Sequence, residues 1–148
     1  MEDHQALKDS AQKMGIAGQF HLLSKTAKIR NGIGTTPEDV LGWDYIVKDD
    51  AGTCYKYYAA QYPLVGMTQP EPIECPLGIR VINNYEVKFQ QAIEKMQQLD
   101  CGGAFVKMSL YWVLSPASPN PEWHIRTDIG SEIVINANSG ESNCMSYK

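Results

Sequence analysis

The sequence predicts an α+β fold, with helices packed on antiparallel sheet. Two observations carry that expectation. From Lys88 to Leu99, the apolar residues Phe89, Ala92, Ile93, Met96 and Leu99 recur at three- and four-residue spacing, which places them on one face of a helix. From Phe105 onward the period changes to two. Val106, Met108, Leu110, Trp112 and Leu114 then share one face of a strand, with Lys107, Ser109 and Tyr111 on the other. A helix and a ribbon with one apolar face each have an obvious place to bury it.

The remaining elements follow in chain order. Leu7, Ser10, Ala11 and Met14 make a helical stripe over about 3–14, ended by Gly15 and Gly18. Residues 20–29 suit a strand, although their alternation is poor. Residues 30–36 carry turn formers, and the glycine-rich run 31–36 reads as a plain turn because it lacks the lysine and the length of a phosphate loop. Thr36-Pro37-Glu38-Asp39 starts a short helix, with a capping threonine, proline in the first turn and acids that the helix dipole favours. Trp43, Tyr45 and Val47 alternate with Asp44 and Lys48. Asp49 to Gly52 is a turn, and 53–60 returns as a tyrosine-rich strand. Gln61 to Leu77 contains Pro63, Pro70, Pro72 and Pro76, and reads as an extended connector rather than a third element. Gly102-Gly103 closes the second helix. Past a proline-rich loop at 115–121, the alternating runs 123–128 and 132–138 make a hairpin.

That hairpin reads Trp123-His124-Ile125-Arg126, then Glu132-Ile133-Val134-Ile135-Asn136-Ala137-Asn138-Ser139-Gly140-Glu141. Behind a helix and a strand, over about 85–141, it resembles a PepSY-type domain, whose last strand and turn run valine, aspartate, alanine, any residue, threonine, glycine, glutamate. Asn136 and Ser139 stand where that family has aspartate and threonine. The wider resemblance is to cystatin-like folds, in which a sheet wraps a helix. It implies a non-enzymatic protein-binding or peptidase-inhibitor-like module, whose partner is another protein, a peptidase in the inhibitor-like case. The order also recurs earlier in the chain. Met14, Gly18 and Phe20 have the spacing of Leu99, Gly103 and Phe105, and Trp43 opens a hairpin as Trp123 does. Residues 1–148 therefore read as a single compact domain with pseudo-repeats at 3–60 and 85–141, joined by a proline-rich connector at 61–84.

A chain of 148 residues with 43% hydrophobic and 20% charged residues is ordinary for one globular domain. A net charge of −4 argues against nucleic acid as a partner. No apolar run approaches the ~20 residues of a membrane helix. The acidic start Met1-Glu2-Asp3-His4 is no secretory signal, so a cytoplasmic location is the default, with secretion the alternative if a leader has been removed and the cysteines are paired. Cys54, Cys75, Cys101 and Cys144 form no CxxC. Buried free thiols and two disulfides both fit. Cys101 with Cys144 is the first pair expected, since one follows the helix and the other the last strand.

Catalytic signals are absent: the sequence holds no His-Glu-x-x-His, phosphate loop or nucleophile elbow, and it implies no cofactor, no metal and no enzyme. His4, His21 and His124 stand in unrelated elements, and His124, on the polar side of its strand, reads as solvated. The unusual feature is aromatic density. Tyr55, Tyr57, Tyr58, Tyr62, Trp112 and Trp123 are the candidate binding residues, because tyrosine and tryptophan offer rigid contact area with a polar tip. Core packing with cross-strand pairing is the competing reading. A carrier of small apolar ligands, using a concave aromatic-lined sheet, is the alternative function.

Overall fold

A computed structural model describes residues 2–15 and 18–145; the side chains of Glu2 and His4, and with them the reading of His4, lie outside that description. Among the described residues the chain runs α1 (Glu2–Lys13), β1 (His21–Ile29), β2 (Val40–Lys48), β3 (Cys54–Ala60), β4 (Glu71–Ile73), α2 (Phe89–Gln98), β5 (Phe105–Tyr111), β6 (Glu122–Thr127), β7 (Glu132–Asn136) and β8 (Ser142–Met145). The strands form one antiparallel sheet in the order β4-β3-β2-β1-β5-β6-β7-β8.

This corrects the expected α+β class. The fold is largely β, an eight-stranded sheet with two short helices of 12 and 10 residues. The reading from sequence gave each helix the weight of a layer, and it missed two strands that widen the sheet. One is β4, inside the stretch read as a connector with no third element. It pairs Cys54 with Ile73 and Lys56 with Glu71. Pro72 is tolerated there because an edge strand has one side that needs no ladder donor. The other is β8, which follows the last predicted strand and pairs with β7. The expected short helix at 36–39 is a single 3-10 turn, Pro37–Asp39.

Each helix is followed by four strands, and the first strands of the two runs, β1 and β5, lie side by side at the middle of the sheet. Their pairing sets Lys25 opposite Leu110 and Thr26 opposite Ser109. Both strands carry a register shift, between Leu22 and Ser24 in β1 and between Phe105 and Lys107 in β5. An extra residue in a strand flips the parity of everything beyond it. The poor alternation of 20–29 has this cause: Leu22 faces the core before the shift, and Lys25 and Ala27 face it afterwards. In β5 the shift puts Phe105 inside and Val106 outside. Leu114 lies beyond the strand and is exposed, so neither Val106 nor Leu114 shares the buried face assigned to them.

One side of the sheet carries the core. Trp43, Val47, Phe105, Met108, Leu110, Trp123, Ile125, Ile133 and Ile135 are buried with Phe89, Ala92, Ile93 and Met96 of α2. The opposite side is polar, as the alternation of β6 and β7 requires. Both ends of the sheet are stapled. Cys54–Cys75 ties β3 to the chain leaving β4, and Cys101–Cys144 ties the end of α2 to β8, so the reading of buried free thiols is set aside. Loops of these lengths give about 3–4 kcal/mol per bridge in the chain-entropy picture. Short terminal strands held in this way leave little free edge for unwanted pairing. No described helix is long and apolar enough to cross a membrane.

Candidate functional site

Two features stand out against this frame: an apolar-tipped loop after β3 and a cleft beside α1.

The loop is closed at its stem by hydrogen bonds. The Ala60 amide donates to the Gly66 carbonyl at 2.8 Å, and the Leu64 amide to Gln61 at 2.8 Å. Gly66 adopts φ 134°, a left-handed conformation that suits glycine. Gln61 is buried. Its amide donates to the Leu41 carbonyl at 2.9 Å, and its Oε1 accepts from Trp43 Nε1 at 2.8 Å. Farther along, Met67 bridges to Ala59 and the Thr68 amide donates to Tyr58. The tip between these anchors is apolar and projects into solvent: Tyr62 is 81% exposed, Leu64 48% and Val65 93%.

The cleft has a volume of about 700 Å³ and lies between α1 and the segment 82–90 that leads into α2. Asp3, from the first turn of α1, sits at its floor. Lys25 Nζ donates to Asp3 Oδ1 at 2.8 Å, Tyr45 Oη donates to the same oxygen at 2.8 Å, and Tyr85 Oη donates to Oδ2. Lys25 is only 3% exposed, and its ammonium stands 4.1 Å from the centre of the Trp43 ring and 5.5 Å from that of Trp123. Aromatic faces and a carboxylate together compensate a charge that burial alone would neutralise. Burial pushes the Asp3 carboxyl up, but the Lys25 charge and the three hydrogen bonds outweigh it and hold Asp3 below its ordinary value. Tyr45 is pushed well up, by burial first and then by the Asp3 charge, so it stays a donor. Leu7, Leu22, Ile82 and Phe89 supply apolar wall, while Asn83, Asn84, Lys88 and Gln90 supply polar rim.

The six aromatic candidates do not form one surface. Trp123 is fully buried, with its Nε1 donating to the Val87 carbonyl at 2.7 Å. Tyr55 and Tyr57 are core residues packed on Phe20, and Tyr57 stacks on Tyr45 at 5.2 Å. Tyr58 is half-buried on the polar side of β3, over Gly42. Trp112 is half-buried against Arg80, with Nε1 bonded to the Ser118 carbonyl. Of the six, Tyr62 alone stands out in solvent. Core packing, with Tyr45 and Tyr57 as a cross-strand pair, therefore accounts for most of the aromatic density.

His124 is also corrected: it is not solvated. It stacks on Tyr111 at 4.2 Å, between Glu122 at 4.0 Å and Glu132 at 3.9 Å. Burial lowers its pKa, and Glu132 partly opposes that. Sequence reasoning missed Lys25, Asp3 and Tyr85 altogether. Lysine inside a strand reads as a solvent-facing charge unless the bulge before it is known. The apolar pair Leu64-Val65, set between proline and glycine, was a signal available for the loop. Among the described residues, no group of three or more His, Cys, Asp or Glu is arranged to hold a metal. In comparisons with family models, curated proteins and solved structures, the chain matches none.

Proposed function

We propose that this chain is a non-enzymatic protein-binding module that inserts the loop 61–66 into a concave site on another protein. One observation carries the reading: an apolar tip of Tyr62, Leu64 and Val65 projects from a stem already held by hydrogen bonds and by buried Gln61. An aromatic with aliphatic neighbours is the composition of an interface hot spot. A loop ordered before contact loses less entropy on binding. A projecting tip needs a recess on its partner, and a peptidase active-site cleft is the recess we assign. The two disulfides support a secreted setting for that encounter.

The test is inhibition of a panel of purified cysteine, serine and metallopeptidases. Wild-type protein is expected to inhibit at least one, and Val65→Asp and Tyr62→Ala are expected to weaken that inhibition by tenfold or more. Inhibition of no peptidase, or inhibition indifferent to both substitutions, overturns the reading.

The second reading, a carrier of a small ligand, is favoured by the cleft, whose volume falls within the range of about 300–1,000 Å³ common to small-molecule sites. Its lining is mixed rather than the aromatic cup expected, because Trp43, Tyr45, Tyr57 and Trp123 fill the core instead.

A further inference from the structure

We propose that the floor of the cleft is a carboxylate-binding site that Asp3 occupies in cis, and that a small amphiphile carrying a carboxylate takes Asp3's place. The inference rests on the second reading above, to which it adds the chemistry of the head group.

The donors and the acceptor come from different parts of the chain. Lys25 is on β1, Tyr45 on β2, and Tyr85 in the segment before α2; α1 contributes Asp3. The segment carrying Tyr85 is tied to the sheet independently of α1, through the Ile82 amide to Leu22 at 2.8 Å and the Val87 amide to Ala137 at 2.7 Å. The donor set therefore belongs to the sheet and this strap, and the helix supplies the anion. A buried ammonium with two phenol hydroxyls beside it is matched to a monoanion that accepts on two oxygens, which is a carboxylate.

The piece that fills the site is also the more weakly held helix. α2 buries Phe89, Ala92, Ile93 and Met96, whereas among the described side chains of α1 only Ser10 and Ala11 are buried, with Ala6 and Leu7 partly covered. Exchange conserves charge: one carboxylate leaves as another arrives, and Lys25 keeps a counter-charge. Beside the exchange point, Leu22, Ile82 and Phe89 offer contact for an apolar body.

The experiment titrates the full chain with decanoate, decanol, and trileucine with a free or an amidated C-terminus. It follows the fluorescence of the tryptophans, two of which flank Lys25. Decanoate or free-acid trileucine is expected to bind, and decanol and the amide are not. The tighter of the two acids shows whether the carboxylate comes from a fatty acid or a peptide terminus. Asp3→Asn, which removes the competing charge, is expected to bind the acid at least tenfold more tightly, and Lys25→Met and the double variant are expected to lose binding. Equal binding of decanol and decanoate overturns the carboxylate site and leaves the carrier reading standing; binding of none of the probes overturns both. Unchanged affinity in Asp3→Asn also overturns the site. If that variant does not fold, the wild-type protein decides. Saturating acid must shift the α1 amide resonances while leaving those of α2 in place, and unmoved α1 resonances overturn the proposal.

Discussion

The two runs of helix and four strands share an order of elements but differ in what fills them. Around β5, β6 and β7 the buried apolar positions are Phe105, Met108, Leu110, Trp123, Ile125, Ile133 and Ile135, all at essentially zero exposure, with Ser109 and Thr127 the buried polar ones. Around β1, β2 and β3 they include Lys25, Tyr45 and Tyr55, held by hydrogen bonds to Asp3 and Asp49 as well as by packing, and Tyr57, held by packing on Phe20 and Tyr45. Across the central pairing, Lys25 lies opposite Leu110. The same ladder thus carries a mainly apolar core on one side and a polar cage on the other. An apolar core stabilises without asking for a partner. A polar cage has to be satisfied by something, and here that something is delivered by a helix.

The largest effect should come from the apolar half. Trp123→Ala removes a fully buried ring and is expected to lower unfolding free energy by about 3–5 kcal/mol in urea denaturation. A loss under 1 kcal/mol would mean that this half is not the apolar core described.

The staples come next. Replacing both Cys101 and Cys144 by alanine is expected to cost about 4 kcal/mol, and the Cys54–Cys75 pair slightly less, because its loop is shorter. Paired denaturation curves check the order.

The polar half should behave differently in kind. Asp3→Asn leaves Lys25 buried without the charge that Asp3 provides, at a cost of about 3 kcal/mol. Adding Lys25→Met should restore most of that loss, since the double variant buries neither charge. A double-mutant cycle in which the two losses simply add would contradict the cage. No second substitution should rescue Trp123→Ala in the same way.

The smallest effects are on pH dependence, and they separate the halves by window. The Asp3 pKa is held below 3.8 in the folded protein, so its contribution is complete above that value and lost as pH falls through the lower folded value. The His124 pKa is lowered from 6.5 by burial, so stability associated with it declines as pH drops below 6.5 toward its folded value. Both contributions shrink with acidification. His124→Gln should flatten the upper window alone, and Asp3→Asn with Lys25→Met the lower one, as read by denaturation midpoints across pH.

Much of the secondary structure was legible in sequence. The stripe Phe89, Ala92, Ile93 and Met96 marks α2, and the alternation of Trp123, Ile125, Ile133 and Ile135 marks β6 and β7, because local spacing alone decides which face an apolar side chain takes. Less of the candidate site was legible. Tyr62 was among the sequence candidates and is exposed, but Lys25 sits on the core side of its strand only because one extra residue precedes it, and Asp3 meets it from 22 positions away in the chain.

Residue order by itself determined the periodic elements, the hairpin turns and the absence of a long apolar segment. The joining of β1 to β5, the register shifts, the choice of disulfides over free thiols and the burial of a lysine were decided only in three dimensions, although Cys101–Cys144 was the pair expected first from sequence. The physical reason is range. Periodicity is a property of neighbours a few residues apart, whereas register, burial of a charge and disulfide pairing depend on which distant segments the fold brings into contact.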